Sequence, residues 1–357
     1  MIDGKSMERA LMKKIIYPII SAIAILGLVA CEEATTPQSE SQAEQKMVDA
    51  AIPKQEVPVV PRYSSWTCPA NPGKAPSGDL TATRIETANS RRTEPGLYEG
   101  PVWLNGALYF SDFTFQEGFP SRVQRLNADG SMETAIENSG TNGLALDSEG
   151  FLIGGVHADK TISRFDLQSG EREKIVGEYQ DNPFNSPNDL TEARDGTIYF
   201  TDPDFQRSAA PGGQEKTQVF RVSASGSVTV VDDSISNPNG ISLSPAQDTL
   251  YVAGGGEKGF LRAYPIVDGQ PGEGKNLVED IQVPDGMAID CLGNIYVTEH
   301  TAQRVRVFTP AGEHLATIGV DANITNAAFG GAEGKTLYLT GAGAVWSIDL
   351  DVAGFPY

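Results

Sequence analysis

The chain opens with a sixteen-residue apolar run, Ile15 to Ala30, behind Lys13 and Lys14, and then changes character twice. Residues 32 to about 62 are rich in Ala, Glu, Gln, Ser and Pro without apolar periodicity, the composition of a solvated tether. Beyond Trp66 and Cys68 short alternating apolar strands dominate and helical spacing nearly disappears. One unit recurs there: a polar residue beside Pro or Gly, an alternating strand, a tight turn, and a strand of apolar-Tyr-apolar type. It begins at Glu99, Asn142, Asn188, Asn239, Asp285 and Asn326, with spacings of 43, 46, 51, 46 and 41 residues. Asn105-Gly106, Glu149-Gly150, Asp195-Gly196 and Gly293-Asn294 supply hairpin turns between paired strands. A period of 40 to 50 residues with four short strands signals a propeller or an array. Closing six units into a ring removes the exposed edges of an open stack, so the pattern predicts an all-β, six-bladed β-propeller. The segment Asp79 to Thr87 is expected to complete the last blade. An eight-stranded barrel with a smaller domain leaves the repeat unexplained.

The apolar run is too short for a comfortable membrane span and reads as a signal-peptide core. It ends in Leu28-Val29-Ala30-Cys31, which resembles the lipobox of bacterial lipoproteins, so Cys31 is expected to be acylated. The expected division is residues 1–30 as signal peptide, 31–75 as lipidated Cys31 and flexible linker, and 76–357 as propeller. The protein is then a periplasm-facing lipoprotein of the bacterial cell envelope, in contact with membrane through its lipid anchor alone and monomeric. Export permits a disulfide between the two remaining cysteines, but a pair so far apart is weak support, and Cys291 is expected to be free. The formal charge of −20 disfavours nucleic acid and anionic lipid surfaces and suits a cation.

In a propeller the first strand of each blade lines the axis, so Glu99, Asn142, Asn188, Asn239, Asp285 and Asn326 form one ring. Asn-Gly and Asp-Gly pairs taken singly are turn formers. Six oxygen-bearing side chains in register, where buried polar groups are costly, describe a site for a hard cation instead. The second strand returns to the same mouth and delivers Asp112, His157, Asp202 and His300 there, the two histidines being candidates for substrate contact.

Glu99-Gly100-Pro101-Val102-Trp103, Ser186-Pro187-Asn188-Asp189-Leu190 with Tyr199-Phe200-Thr201-Asp202-Pro203, Pro238-Asn239-Gly240-Ile241 and Pro284-Asp285-Gly286-Met287 together resemble the gluconolactonase, or senescence marker protein-30-like, family. The resemblance runs over roughly residues 95 to 345. It implies one divalent cation, Ca²⁺ first, with Zn²⁺ or Mn²⁺ as alternatives. Glu99, Asn239 and Asp285 would be its ligands, Asn188 a further ligand or a substrate contact, and Asp285 also the acid/base group; from their ring and mouth positions, not from the resemblance, Asn142, His157, Asp202 and His300 are expected as further substrate contacts. The implied reaction is hydrolysis of a small, sugar-type lactone or ester. Some members carry an arginine where this chain has Ser186, which puts sugar-lactone selectivity in question. No Gly-x-Ser-x-Gly elbow supports a serine esterase. Aryl-ester or organophosphate hydrolysis at the same site, and a non-catalytic ligand-binding propeller, are the rival readings.

Overall fold

The structure is a computed structural model and describes residues 67–355. Signal peptide, Cys31 and tether lie outside the described residues. Six sheets, each built on four strands, follow one another in sequence order, with a fifth strand added in two of them. Blade I comprises Gly96–Leu104, Ala107–Thr114, Ser121–Asn127 and Met132–Ile136; blade II comprises Thr141–Leu146, Leu152–Val156, Thr161–Phe165 and Arg172–Val176. Blade III is built from Leu190–Glu192, Ile198–Asp202, Gln218–Val222 and Val228–Asp232, and blade IV from Ile241–Leu243, Thr249–Gly254, Gly259–Val267 and Lys275–Ile281. In blade V, Pro284–Ile289, Ile295–Glu299, Arg304–Phe308 and His314–Gly319 pair in order; blade VI holds Ile324–Gly330, Thr336–Gly341 and Val345–Asp349. The expected six-bladed propeller is the observed fold.

The fourth strand of blade VI comes from the other end of the chain. Thr83 and Arg84 pair antiparallel with Ser347 and Trp346, closing the ring. The preceding Gly78–Thr81 does something the repeat pattern does not foresee. It runs parallel to His314–Gly319 as a fifth strand of blade V. The expected single strand over Asp79 to Thr87 is therefore two short ones, split at Ala82 and ended by a 3₁₀ turn at Glu86–Ala88. The packing explains the split: Leu80 and Ala82 belong to the apolar cluster between blades V and VI, so the segment crosses that seam rather than following one blade.

Alternation along each strand puts one apolar row on each face of a blade, and neighbouring blades bury these rows against each other. Six apolar clusters result, one per seam. That between blades VI and I contains Tyr98, Leu108, Phe110 and Val345. At the Leu104–Ala107 hairpin Asn105 and Gly106 both have positive φ, 50° and 79°, as a type I′ turn requires.

Cys291 is not free. It forms a disulfide with Cys68, 223 residues away. The same stretch is tied to the end of the chain by the Gly73–Val352 bridge and by Lys74 N–H donating to Asp351 O at 2.9 Å. Both ends of the described residues meet at blade V, which linear spacing does not reveal.

Candidate active site at the propeller axis

The inner strands stop behaving as regular ladders where the polar ring begins. Pairing with the second strand shifts register between Glu99 and Val102, Thr141 and Leu144, Pro284 and Met287, and Ile324 and Asn326. Asn188 and Asn239 stand just before their strands begin. A break of this kind frees a residue from strict alternation and re-aims its side chain. The residue after the polar one is Gly in four repeats, and the space explains it. A Cβ on Gly143 would lie 2.4 Å from Asn188 O, one on Gly240 2.2 Å from Asp285 O, and one on Gly286 1.9 Å from Asn326 Cγ. The glycines let each inner strand press on the next, with Gly143 N–H donating to Asn188 O at 2.9 Å and Gly240 N–H to Asp285 O at 3.1 Å. Hydroxyls add to the stitching: Thr201 Oγ1 donates to Asn239 O at 2.7 Å, and Thr298 Oγ1 to Thr325 O at 2.8 Å.

Glu99, Asn142, Asn188, Asn239, Asp285 and Asn326 are all buried. Asp189 joins them. It fills, in blade III, the place that Gly takes in four other repeats. Asn326 Nδ2 donates to Glu99 Oε2 and to Asp189 Oδ2, both at 3.2 Å, and its Oδ1 accepts Ala327 N–H, so one amide links blades I, III and VI. Asn239 hydrogen-bonds Asp285. The carboxyls of Glu99, Asp189 and Asp285 are thus gathered on the axis, and no Lys or Arg among the described residues pairs with any of them.

Electrostatics follow from that crowding. Burial, and then the charges of Asp285 and Asp189, hold the Glu99 carboxyl well above the usual range. Burial lifts Asp189 to about 7, although Asn326 works against it. Asp285 is also raised by burial, opposed by His300 and Asn239. His300 Nδ1 lies 2.8 Å from Ile324 O and 3.4 Å from Asp285 Oδ2. A carbonyl only accepts, so Nδ1 carries a hydrogen. Burial disfavours the imidazolium, but Asp285 and the Ile324 carbonyl outweigh it and raise the pKa.

The other expected mouth residues divide. Asn142 Nδ2 reaches Gln206 Oε1 at 3.4 Å, while its buried Oδ1 has no partner among the described residues. Asp112 Oδ2 takes Arg92, Arg122 and Gln124. His157 is completely buried; its Nε2 lies 2.8 Å from Phe119 O, and its ring meets Phe113 and Phe119 edge-on. Asp202, equally buried, accepts the N–H groups of Asn185 and Ser186, both at 2.8 Å. Lys160 Nζ donates to Asn185 O and Arg207 O. In this arrangement His157 packs a wall and Asp202 holds the loop leading to Asn188. Ser186, fully buried, gives its hydroxyl to Pro203 O at 2.6 Å, and Gln206 from the same loop reaches the ring instead. Sequence reasoning missed Asp189 and Gln206. The first had a signal, an acid where the repeat places Gly; the second stands in a loop outside the repeat and had none.

Among the described residues no three His, Cys, Asp or Glu side chains are arranged as a metal cage. The donors are mixed instead. Asp285 Oδ1 is buried without a partner, as is Asn142 Oδ1, and the axial carboxyls repel one another with no cationic Lys or Arg beside them. An all-oxygen set with orphaned acceptors and excess negative charge fits a hard divalent cation.

The sequence profile described as SMP-30/Gluconolactonase/LRE-like region matches residues 97–343. A gluconolactonase of Zymomonas mobilis is 27% identical over 276 residues, covering 68% of this chain and 75% of its own. A pentonolactonase of Haloferax volcanii is 25% identical over 272 residues, covering 74% of this chain and 86% of its own. The solved structure of a gluconolactonase from Xanthomonas campestris superposes with a TM-score of 0.65 at 27% identity, over 79% of this chain and all of that one. With the profile spanning all six repeats of the ring, the chain belongs to the SMP-30/gluconolactonase/LRE-like family.

Proposed function

We propose that this protein is a divalent-cation-dependent lactonase that opens a sugar-type lactone, with Asp285 as its acid/base group. The observation that carries the reading is the convergence of Glu99, Asn239 and Asp285 from three blades, with His300 against Asp285 and no Lys or Arg among the described residues to neutralise the carboxyls. The names of the relatives support a lactone as substrate. Glu99, Asn188, Asn239 and Asp285 would hold the ion, Ca²⁺ being the best match for mixed carboxylate and amide oxygens. When bound, it supplies positive charge to the substrate carbonyl and to the oxyanion that develops there.

The chain's own residues account for the proton transfers. Asp285 accepts a proton from a water whose oxygen attacks the lactone carbonyl carbon. The ring C–O bond then breaks, and the departing ring oxygen takes a proton back from Asp285 or from His300, leaving a hydroxy acid. Asn142 and Gln206, one with an unused acceptor and the other an amide on the same wall, would orient ring hydroxyls. The Cys68–Cys291 disulfide supports export to an oxidising compartment. We extend that reading to anchoring through Cys31 at the bacterial cell envelope, with the propeller facing the periplasm as a monomer.

A pH-stat assay on glucono-1,5-lactone tests the reading. Activity is expected to vanish with a chelator and return with Ca²⁺. Asp285→Asn is expected to lower kcat on the order of a hundredfold or more. Hydrolysis that survives Asp285→Asn would exclude this mechanism.

A further inference from the structure

His300 does more than meet Asp285. It also lines a cleft of about 540 Å³ together with Tyr98, Arg92, Phe113, Phe115 and Asn323. A volume of that order accommodates a drug-sized ligand, and a single lactone ring leaves much of it unfilled. Phe115 is 53% exposed, the most exposed aromatic ring among the described core-sized side chains. Its N–H donates to Pro95 O at 3.0 Å, which anchors the backbone, and its ring stands edge-on to Phe113, with centroids 5.9 Å apart and planes at 86°. Arg92 is fixed. Its Nη2 contacts Asp112 O at 3.3 Å and Asp112 Oδ2 at 3.2 Å, and that same oxygen is held by Arg122 and Gln124. Of the five N–H hydrogens of the guanidinium, those on Nε and Nη1 have no partner among the described residues. Asn323 accepts Gln303 Nε2 through Oδ1 at 3.2 Å, and its Nδ2 lies 3.5 Å from His300 Nε2.

An open aromatic face flanked by pre-positioned guanidinium and amide donors is the chemistry that holds a pyranose. The C–H face of the sugar lies on the ring and its hydroxyls accept from the fork. A plain acyl chain would strip water from Arg92, Asn323 and Asp112 and give nothing back. We propose that this cleft is a second sugar subsite, so that the substrate class is an aldonolactone bearing a glycosyl substituent, a disaccharide lactone. This rests on the lactonase reading above and narrows it. The lactone would meet Asp285, and the second sugar would lie on Phe115.

The test is the ratio of kcat/KM for lactobionolactone to that for glucono-1,5-lactone. In the native protein the ratio is expected to be about tenfold or more, to fall towards one in Phe115→Ala, and to be retained in Phe115→Trp. A native ratio near one, or a preference that survives Phe115→Ala, overturns the subsite and leaves the lactonase reading standing. If neither lactone is turned over, the lactonase reading fails, and calorimetry with lactobionate against gluconate decides the cleft alone. A preference for lactobionate that Phe115→Ala abolishes supports it, and equal affinities overturn it.

Discussion

His157 and His300 follow the second strands of blades II and V at matching places, yet their surroundings pull their acidities in opposite directions. His300 has Asp285 beside it and is raised; His157 has only apolar rings and the Phe119 carbonyl, and burial pushes it down to about 4. An imidazole that is neutral in the fold but takes up a proton near 6.5 when unfolded gives the unfolded chain the greater proton binding between those values. Its contribution is therefore complete above pH 6.5 and is lost as the pH falls towards 4, by up to about 3 kcal/mol. His157→Gln keeps a hydrogen-bond donor and removes the titration. Urea unfolding at pH 7, 5.5 and 4.5 should show the native protein losing ground to this variant as acidity increases; parallel curves would rule out a neutral buried imidazole. The difference between these two histidines could not be read from the repeat, because it depends on how deeply the fold buries His157 and on Asp285 standing against His300. The ring itself could be read, because six oxygen-bearing residues recur in register. Asp189 was on the page as an acid in a glycine's place, but only the fold shows that it shares Asn326 with Glu99.

Among the elements, the inner strands are the most constrained, since they carry the site and touch both neighbours. Their glycines are there for proximity rather than for turning. Gly286 has no positive φ, and any Cβ on it would run into the Asn326 side chain, 1.9 Å from Cγ. Gly286→Ala must therefore move Asn326, and with it the amide that holds Glu99 and Asp189. The expected result is a loss of about 1–3 kcal/mol of stability together with weakened cation binding. Gly319→Ala, whose Cβ would meet only Leu80 O at 3.8 Å, serves as the control and should leave both nearly unchanged. Equal behaviour of the two variants in thermal unfolding and calcium titration would refute the crowding argument. Sequence patterns place these glycines as turn formers, and a turn preference and a tight approach look alike in one dimension. The hairpin turns at Asn105-Gly106 are the opposite case, where local chemistry alone was sufficient.

At the scale of the molecule, both ends of the described chain converge on blades V and VI. Thr83–Arg84 closes blade VI, Gly78–Thr81 widens blade V, and Cys68 is bonded to Cys291. The link spans 223 residues, so it restricts the unfolded ensemble strongly. Cys68→Ser/Cys291→Ser is expected to lower the unfolding free energy by about 2–4 kcal/mol, seen as a shifted denaturant midpoint. An unchanged midpoint would mean the bond adds nothing in solution. Ring closure by an early segment was foreseeable from the missing strand of the sixth repeat, whereas its division between two blades depends on how Leu80 and Ala82 fill the seam.

That division also sets an order of assembly. Residues 78–84 are made long before their partners on blades V and VI, His314–Gly319 and Val345–Asp349. Until those strands exist, the early segment has no sheet to join, and its unpaired backbone stays open to wrong neighbours. Closing this rotor therefore waits for the last strand of blade VI, and any factor that shields residues 78–84 until then would govern the yield of folded protein.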